Sequence, residues 1–313
     1  MNYEQIKEEL LNSTSKPSEF RRIFNVLQNL ELENKITELT NNDIDEILFA
    51  FHSKSKSSVT KNFSMIRRIY RYFCNKKGVT PKTLKPNLDY NDYIDEEALR
   101  SVTIDPYYYN IIKSQLTILR DGKLCNFRDK LLFELPWVLG LSNREIKFLR
   151  KDDIKFINEH GKERCIIKIK GRSSKILREE DAGDYEVMED IKKTLEETQH
   201  FMEDKNDLMK EQKLKDTPYL IRAIASNKSN SNYISNPSCT LQRILVANEV
   251  NIPDDKIINI EQLTIEDIRR SKIMYCFAKK GYTFERVREE FGKKTDCDLY
   301  WLRDKALQFY KNK

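Results

Sequence analysis

The sequence is short of everything that would mark a stapled, metal-held or membrane-bound protein. Its 313 residues include 8 glycines, 8 prolines, 6 cysteines and 3 histidines. Cys74, Cys125, Cys165, Cys239, Cys276 and Cys297 form no CxxC pair, and no histidine stands at ligand spacing from any of them, which argues against a structural zinc. No long uncharged apolar run occurs and no signal-type segment opens the chain, so the expectation is a protein without a membrane partner, in a cytoplasm that keeps its thiols reduced. Nothing calls for a metal or a cofactor. What is present is charge and aromatic bulk. Lys and Arg number 56 against 50 Asp and Glu, a formal charge of +6, with 15 Phe and 15 Tyr to build a core. That balance permits a polyanionic partner, and the decision rests on where the cations cluster.

Helical periodicity runs through the first part of the chain. Phe20, Ile23, Phe24 and Leu27 share one face, as do Ile44, Ile47, Leu48 and Phe51 after the capping stretch TNND. A Ser/Lys-rich loop ending in a serine cap leads to KNFSMIRRIYRYFCNKKG. Its apolar stripe is Phe63, Ile66, Ile69, Tyr70 and Phe73, and Gly78 is its stop. Lys61, Arg67, Arg68 and Arg71 lie off that stripe, a face equally suited to water or to phosphate. Two prolines and a loss of period place a linker at 79–92, which divides the chain into a helical domain 1–85 and a second domain 86–313. There, RDKLLFELPWVLGLSNREIKFLR predicts two helices meeting at Gly140. The following segment predicts a β-ribbon turning at His160-Gly161, with Cys165, Ile167 and Ile169 on one face. Residues 186–215 have helical period, 225–238 form a low-complexity loop, and CTLQRILVANEV reads as a helix. Two more helices close at Gly281 and Gly292. The fold class is mainly α with a small β-ribbon or sheet.

Four stretches in this order resemble the tyrosine recombinase, or phage integrase, family. SSVTKNFSMIRRIYRYFCNKKGVTPKTLKPN is similar to the end of its helical, SAM-like core-binding domain, and RDKLLFELPWVLGLSNREIKFLRKDDI to the opening of its catalytic domain. IIKIKGRSSKILRE resembles the hairpin that carries its catalytic lysine. LTIEDIRRSKIMYCFAKKGYTFERVREEFGKKTDCDLYWL resembles its C-terminal box and tyrosine. The resemblance implies a tyrosine nucleophile, two arginines and a His or Trp on the phosphate, and a lysine acid.

Several of those positions are altered. Ser142 stands where the first arginine belongs, and a lone hydroxyl cannot fork across two phosphate oxygens. Arg144 points about 200° away from it on a helix, while Glu145 keeps the family's acidic position. Lys170 or Arg172 falls at the lysine slot. Glu266 replaces the first histidine, Arg269 matches the second arginine and Arg270 replaces the next histidine. Lys293 takes the His or Trp position. Tyr300 follows Gly292 at a shorter spacing than the family's usual one. His52, His160 and His200 match no motif position and read as surface or turn histidines.

Losing one transition-state donor commonly costs about 10² to 10³ in rate, so the resemblance implies a protein that binds duplex DNA without cutting it. The expected DNA contacts are Lys61, Arg67, Arg68 and Arg71, Lys168, Lys170, Arg172 and Lys175, and Arg269, Arg270 and Lys272. Integrase-like repressors of SPβ-type prophages share this plan. That likeness implies operator DNA as partner, a nucleoid-associated cytoplasmic protein, and a protein or peptide antagonist. The alternative is an active, divergent recombinase with Tyr300 as nucleophile.

Overall fold

The computed structural model describes residues 2–170, 176–203, 209–225, 232–252, 258–293 and 297–310. The chain gathers into two compact units, Met1–Arg100 and Ser101–Lys313.

The first unit is all helical. Helices α1 (Tyr3–Ser13), α2 (Pro17–Asn29), α3 (Asn41–Phe49) and α4 (Lys56–Lys77) bury the stripes read from the sequence: Phe20, Ile23, Phe24 and Leu27, then Ile44, Ile47 and Leu48, then Phe63, Ile66, Ile69 and Phe73. Local chemistry sets their ends. Thr40 and Asp43 make a reciprocal capping box, Ser55 caps α4, and Gly78 ends it in the left-handed region at φ 69°. The linker segment packs on this unit. Lys85 is paired with Asp45 at 2.6 Å, the Tyr93 hydroxyl donates to the same carboxylate, and the Asp95 amide donates to the Ser53 carbonyl at 2.9 Å. Those bonds, with α5 (Glu96–Arg100) after them, carry the first unit past residue 85, where the loss of period had placed its end.

The second unit is built round α7 (Phe127–Val138), which is buried from Phe127 to Trp137. Before it come α6 (Pro106–Ser114) and a small hairpin, β1 (Ile118–Arg120) with β2 (Lys123–Cys125). After the Gly140 corner, α8 (Asn143–Phe148) leads into an antiparallel sheet of β3 (Ile154–Glu159), β4 (Lys162–Lys170) and β5 (Ile176–Asp181). His160 and Gly161 make its first turn with φ of 53° and 78°. Cys165, Ile167 and Ile169 face the core as the alternation predicts, and burial pushes the Cys165 thiol up to about 12.

Helix α9 (Tyr185–Glu196) is followed by a second hairpin, β6 (Gln199–Glu203) with β7 (Met209–Lys213). The helical period read over 186–215 therefore stops at Glu196. Tertiary bonds override it: the Asn126 side chain exchanges two hydrogen bonds with the Phe201 backbone, and His200 Nε2 meets Asp129 Oδ2 at 2.7 Å. His200 is thus a buried histidine, not the surface or turn residue expected. Helices α10 (Pro237–Ala247), α11 (Ile265–Lys279), α12 (Phe284–Phe291) and α13 (Cys297–Tyr310) complete the unit. The class is mainly α with small antiparallel sheets, as expected. No described helix is long and apolar enough to cross a membrane.

Candidate nucleic-acid interface

Two of the positions read as altered, Ser142 and Glu266, meet at the corner between α7 and α8. Gly140 turns it at φ 61°, and a Cβ there would run into the Phe291 ring. Ser142 caps α8. Its amide and hydroxyl both donate to Glu145 Oε2 at 2.7 Å, and the Glu145 amide donates back to the hydroxyl at 3.3 Å. The serine read at the place of the family's first arginine is thus used by the backbone. Arg144 is exposed.

Two guanidinium groups, one part-buried and one buried, flank this cap. Arg178, on β5, donates through Nη1 to Glu145 Oε1 at 2.6 Å and through Nε to Glu180 at 3.0 Å. It also lies against Gly292, where a Cβ would displace it. Arg269, on α11, donates through Nε to the Gly140 carbonyl at 2.7 Å and through Nη2 to the Phe291 carbonyl. Its Nη1 faces Glu266 Oε2 at 3.5 Å, and Glu266 Oε1 accepts from the Asn143 amide at 3.0 Å. Burial works to raise the Glu145 carboxyl, but Arg178, the two Ser142 donors and Arg269 outweigh it and hold it below the usual carboxylate range. Burial dominates at Glu180 and pushes its carboxyl up. The corner therefore sets three carboxylates, Glu145, Glu180 and Glu266, against two guanidinium groups. Its bonds close on the protein itself.

Comparison with solved structures places this architecture. The chain superposes over 99% of its length on the integrase of transposon Tn1549 in complex with circular-intermediate DNA, covering 95% of that chain at a TM-score of 0.52 and 13% identity. A variant of that integrase in complex with transposon right-end DNA gives the same coverages, a TM-score of 0.50 and 12% identity. The fold is that of the tyrosine recombinases. No family model and no curated protein sequence matches the chain.

Within the recombinase fold, the other expected site residues are dispersed or engaged. Lys170, at the end of β4, is paired with the buried Asp153, and Lys168 lies 3.5 Å from Glu179 across the sheet. Arg172 and Lys175 lie outside the described residues. Arg270 turns to Asp267 at 3.0 Å. Lys272 lies with its ammonium 5.0 Å from the Trp137 ring, and burial lowers its pKa. Lys293 follows Gly292, the left-handed C-cap of α12. Tyr300 sits on α13, 53% exposed, its ring 4.5 Å from Phe284 and 5.8 Å from the Arg303 guanidinium.

On α4, Lys61 is paired with Glu19 at 2.9 Å, Arg67 lies over Phe63 and Arg68 over Phe20, and Arg71 is exposed. Arg67 and Arg68 thus set their guanidinium groups over rings that are themselves buried in the helical core. The four cations share one helix, as the pattern indicated.

Sequence reasoning missed Arg178: it lies within IIKIKGRSSKILRE, but in that stretch only the lysines and Arg172 were singled out. Only the pairing of β4 with β5 brings it to Glu145. It also missed a buried charge cluster: Lys130 Nζ lies 2.6 Å from Asp190, 2.9 Å from Glu186 and 3.9 Å from Glu134, with Lys113 2.7 Å from Glu186. The three carboxylates are close enough together for a metal ion, but the two ammonium groups already supply the counter-charge among them.

Proposed function

We propose that this protein binds duplex DNA through its recombinase fold, does not cut it, and acts as a sequence-specific repressor of phage or prophage genes. One observation carries the reading. At the corner where strand cleavage would need converging cations on a phosphate, Ser142 caps a helix, Arg269 is held by two backbone carbonyls, and a carboxylate, Glu266, stands at the position of a histidine donor. A negative charge there opposes the charge that builds on the phosphate during transfer.

DNA contact is supported by the cations carried on α4 and by the structural neighbours, which were solved on DNA. The proposed partner is an operator duplex, with a protein or peptide antagonist to release it. The domain roles follow the same reading: a helical core-binding unit, then a unit of catalytic type without the catalysis.

The competing reading is an active recombinase using Tyr300, with Arg269 and Lys293 on the phosphate and Lys170 as acid. The half-exposed Tyr300 ring is the observation in its favour. Duplexes from the protein's own replicon, nicked near the bound site, separate the two. The expected result is retention in a gel shift at about 0.15 M salt, weakened as salt rises, with no covalent adduct and with unchanged affinity in Tyr300→Phe. An adduct that Tyr300→Phe abolishes would establish the competing reading.

A further inference from the structure

Arg269 is a guanidinium with one end fixed and one end facing an anion. Its Nε and Nη2 are committed to the Gly140 and Phe291 carbonyls, which orient the group without neutralising it. Glu145, the other carboxylate that acts on it electrostatically, is tied to Arg178 through Oε1 and to Ser142 through Oε2. What remains is Nη1, and the carboxylate facing it is Glu266, at 3.5 Å. The Glu266 side chain is 46% exposed while that of Arg269 is 9% exposed, so solvent reaches the pair from the carboxylate's side. A preorganised, partly desolvated cation with a replaceable anion on its open side is the arrangement that binds phosphate oxygens.

We propose that Glu266 is a built-in counter-ion that fills a phosphate site on Arg269, so that neutralising Glu266 opens that site to an external phosphate, inorganic or in a DNA backbone. The proposal rests on the reading that this corner faces DNA, and it inverts the usual expectation for a lost catalytic residue. Glu266 does not merely fail to help; it competes with the ligand. A glutamine keeps a carbonyl oxygen for the Asn143 amide and removes only the charge, which makes Glu266→Gln the natural probe.

Two measurements on the full chain test it. In the first, thermal melting is compared in sodium phosphate and in sodium chloride at equal ionic strength. The wild-type protein is expected to melt alike in both, and Glu266→Gln to melt several degrees higher in phosphate. In the second, binding to a mixed-sequence duplex is followed by anisotropy across a salt series. Glu266→Gln is expected to bind roughly fivefold tighter at moderate salt, the scale of one partly exposed like charge removed at close range. Its log–log salt slope is expected to steepen by about one.

A phosphate response in Glu266→Gln identical to wild type overturns the proposal, whatever the DNA result. If neither protein is retained on DNA but the phosphate response appears in the variant, the inference stands and the DNA-binding reading falls. Should Glu266→Gln not fold, Glu266→Ala is read in the same way. Failure of both to fold would make the carboxylate a structural requirement and overturn the proposal.

Discussion

Arg269 illustrates how a residue's partners, not its type, set its role. Matched to a phosphate-binding arginine by position, it proves to join α11 to the α7–α8 corner and to the end of α12 through two carbonyls. Removing it leaves both carbonyls unpaired in a buried place. Arg269→Ala is expected to lose roughly 2–4 kcal/mol of stability, read as a lower urea midpoint. Any fall in DNA affinity should be largely accounted for by the fraction unfolded. Arg269→Lys, which cannot fork to two carbonyls, should recover only part of the loss.

At the scale of elements, the capping chemistry was legible and the pairing was not. Thr40 and Ser55 announce helix starts by residue type and spacing, and they, like Ser142 and Thr264, each accept a backbone hydrogen bond in the helix that they begin. The hairpin at 199–213 was not legible, because its strand conformation depends on bonds to Asn126 and Asp129, more than seventy residues earlier. Arg178 likewise becomes meaningful only when β5 pairs with β4 and delivers it to Glu145. It links the sheet to the α8 cap. Arg178→Ala leaves Glu145 buried beside one fewer cation and is expected to cost about 1–3 kcal/mol. Hydrogen exchange should quicken at the amides of β5 and at Glu145, whereas amides of α1 to α4 should keep their protection.

For the whole molecule, the buried charges of the second unit predict how stability depends on pH. Burial and then Asp190 push the Glu134 carboxyl up to about 8, against Lys130 and Lys113, which draw it down. Glu186 is held down to about 2 by its bonds to Lys113 and Lys130, and Glu145 and Asp129 are also lowered. Carboxylates lowered in this way contribute stability above their unfolded pKa, and that contribution is complete by about pH 5. Glu134 works in the opposite sense. It is protonated when folded and ionised when unfolded between about 4.5 and 8, so stability falls as pH rises through that window. Glu134→Gln is expected to flatten this decline, and melting temperatures of the two proteins between about pH 5 and 8.5 measure it.

Read alone, the sequence determined the helical first unit, the ribbon turning at His160-Gly161 and the corner at Gly140, all of which follow from period, turn type or residue identity within a short window. The expectation of a missing cation at Ser142 came from the family resemblance instead. The tertiary structure decided which charges meet. It placed Arg178 beside Glu145, turned Arg269 to backbone carbonyls and set Glu266 on its open side. The first two outcomes depend on contacts between residues tens to more than a hundred positions apart, whereas Glu266 lies one helical turn from Arg269 on α11 and meets it only because the two carbonyls fix the guanidinium. No local pattern encodes the partner of a long charged side chain, whose rotamers can reach several candidates until packing and desolvation select one.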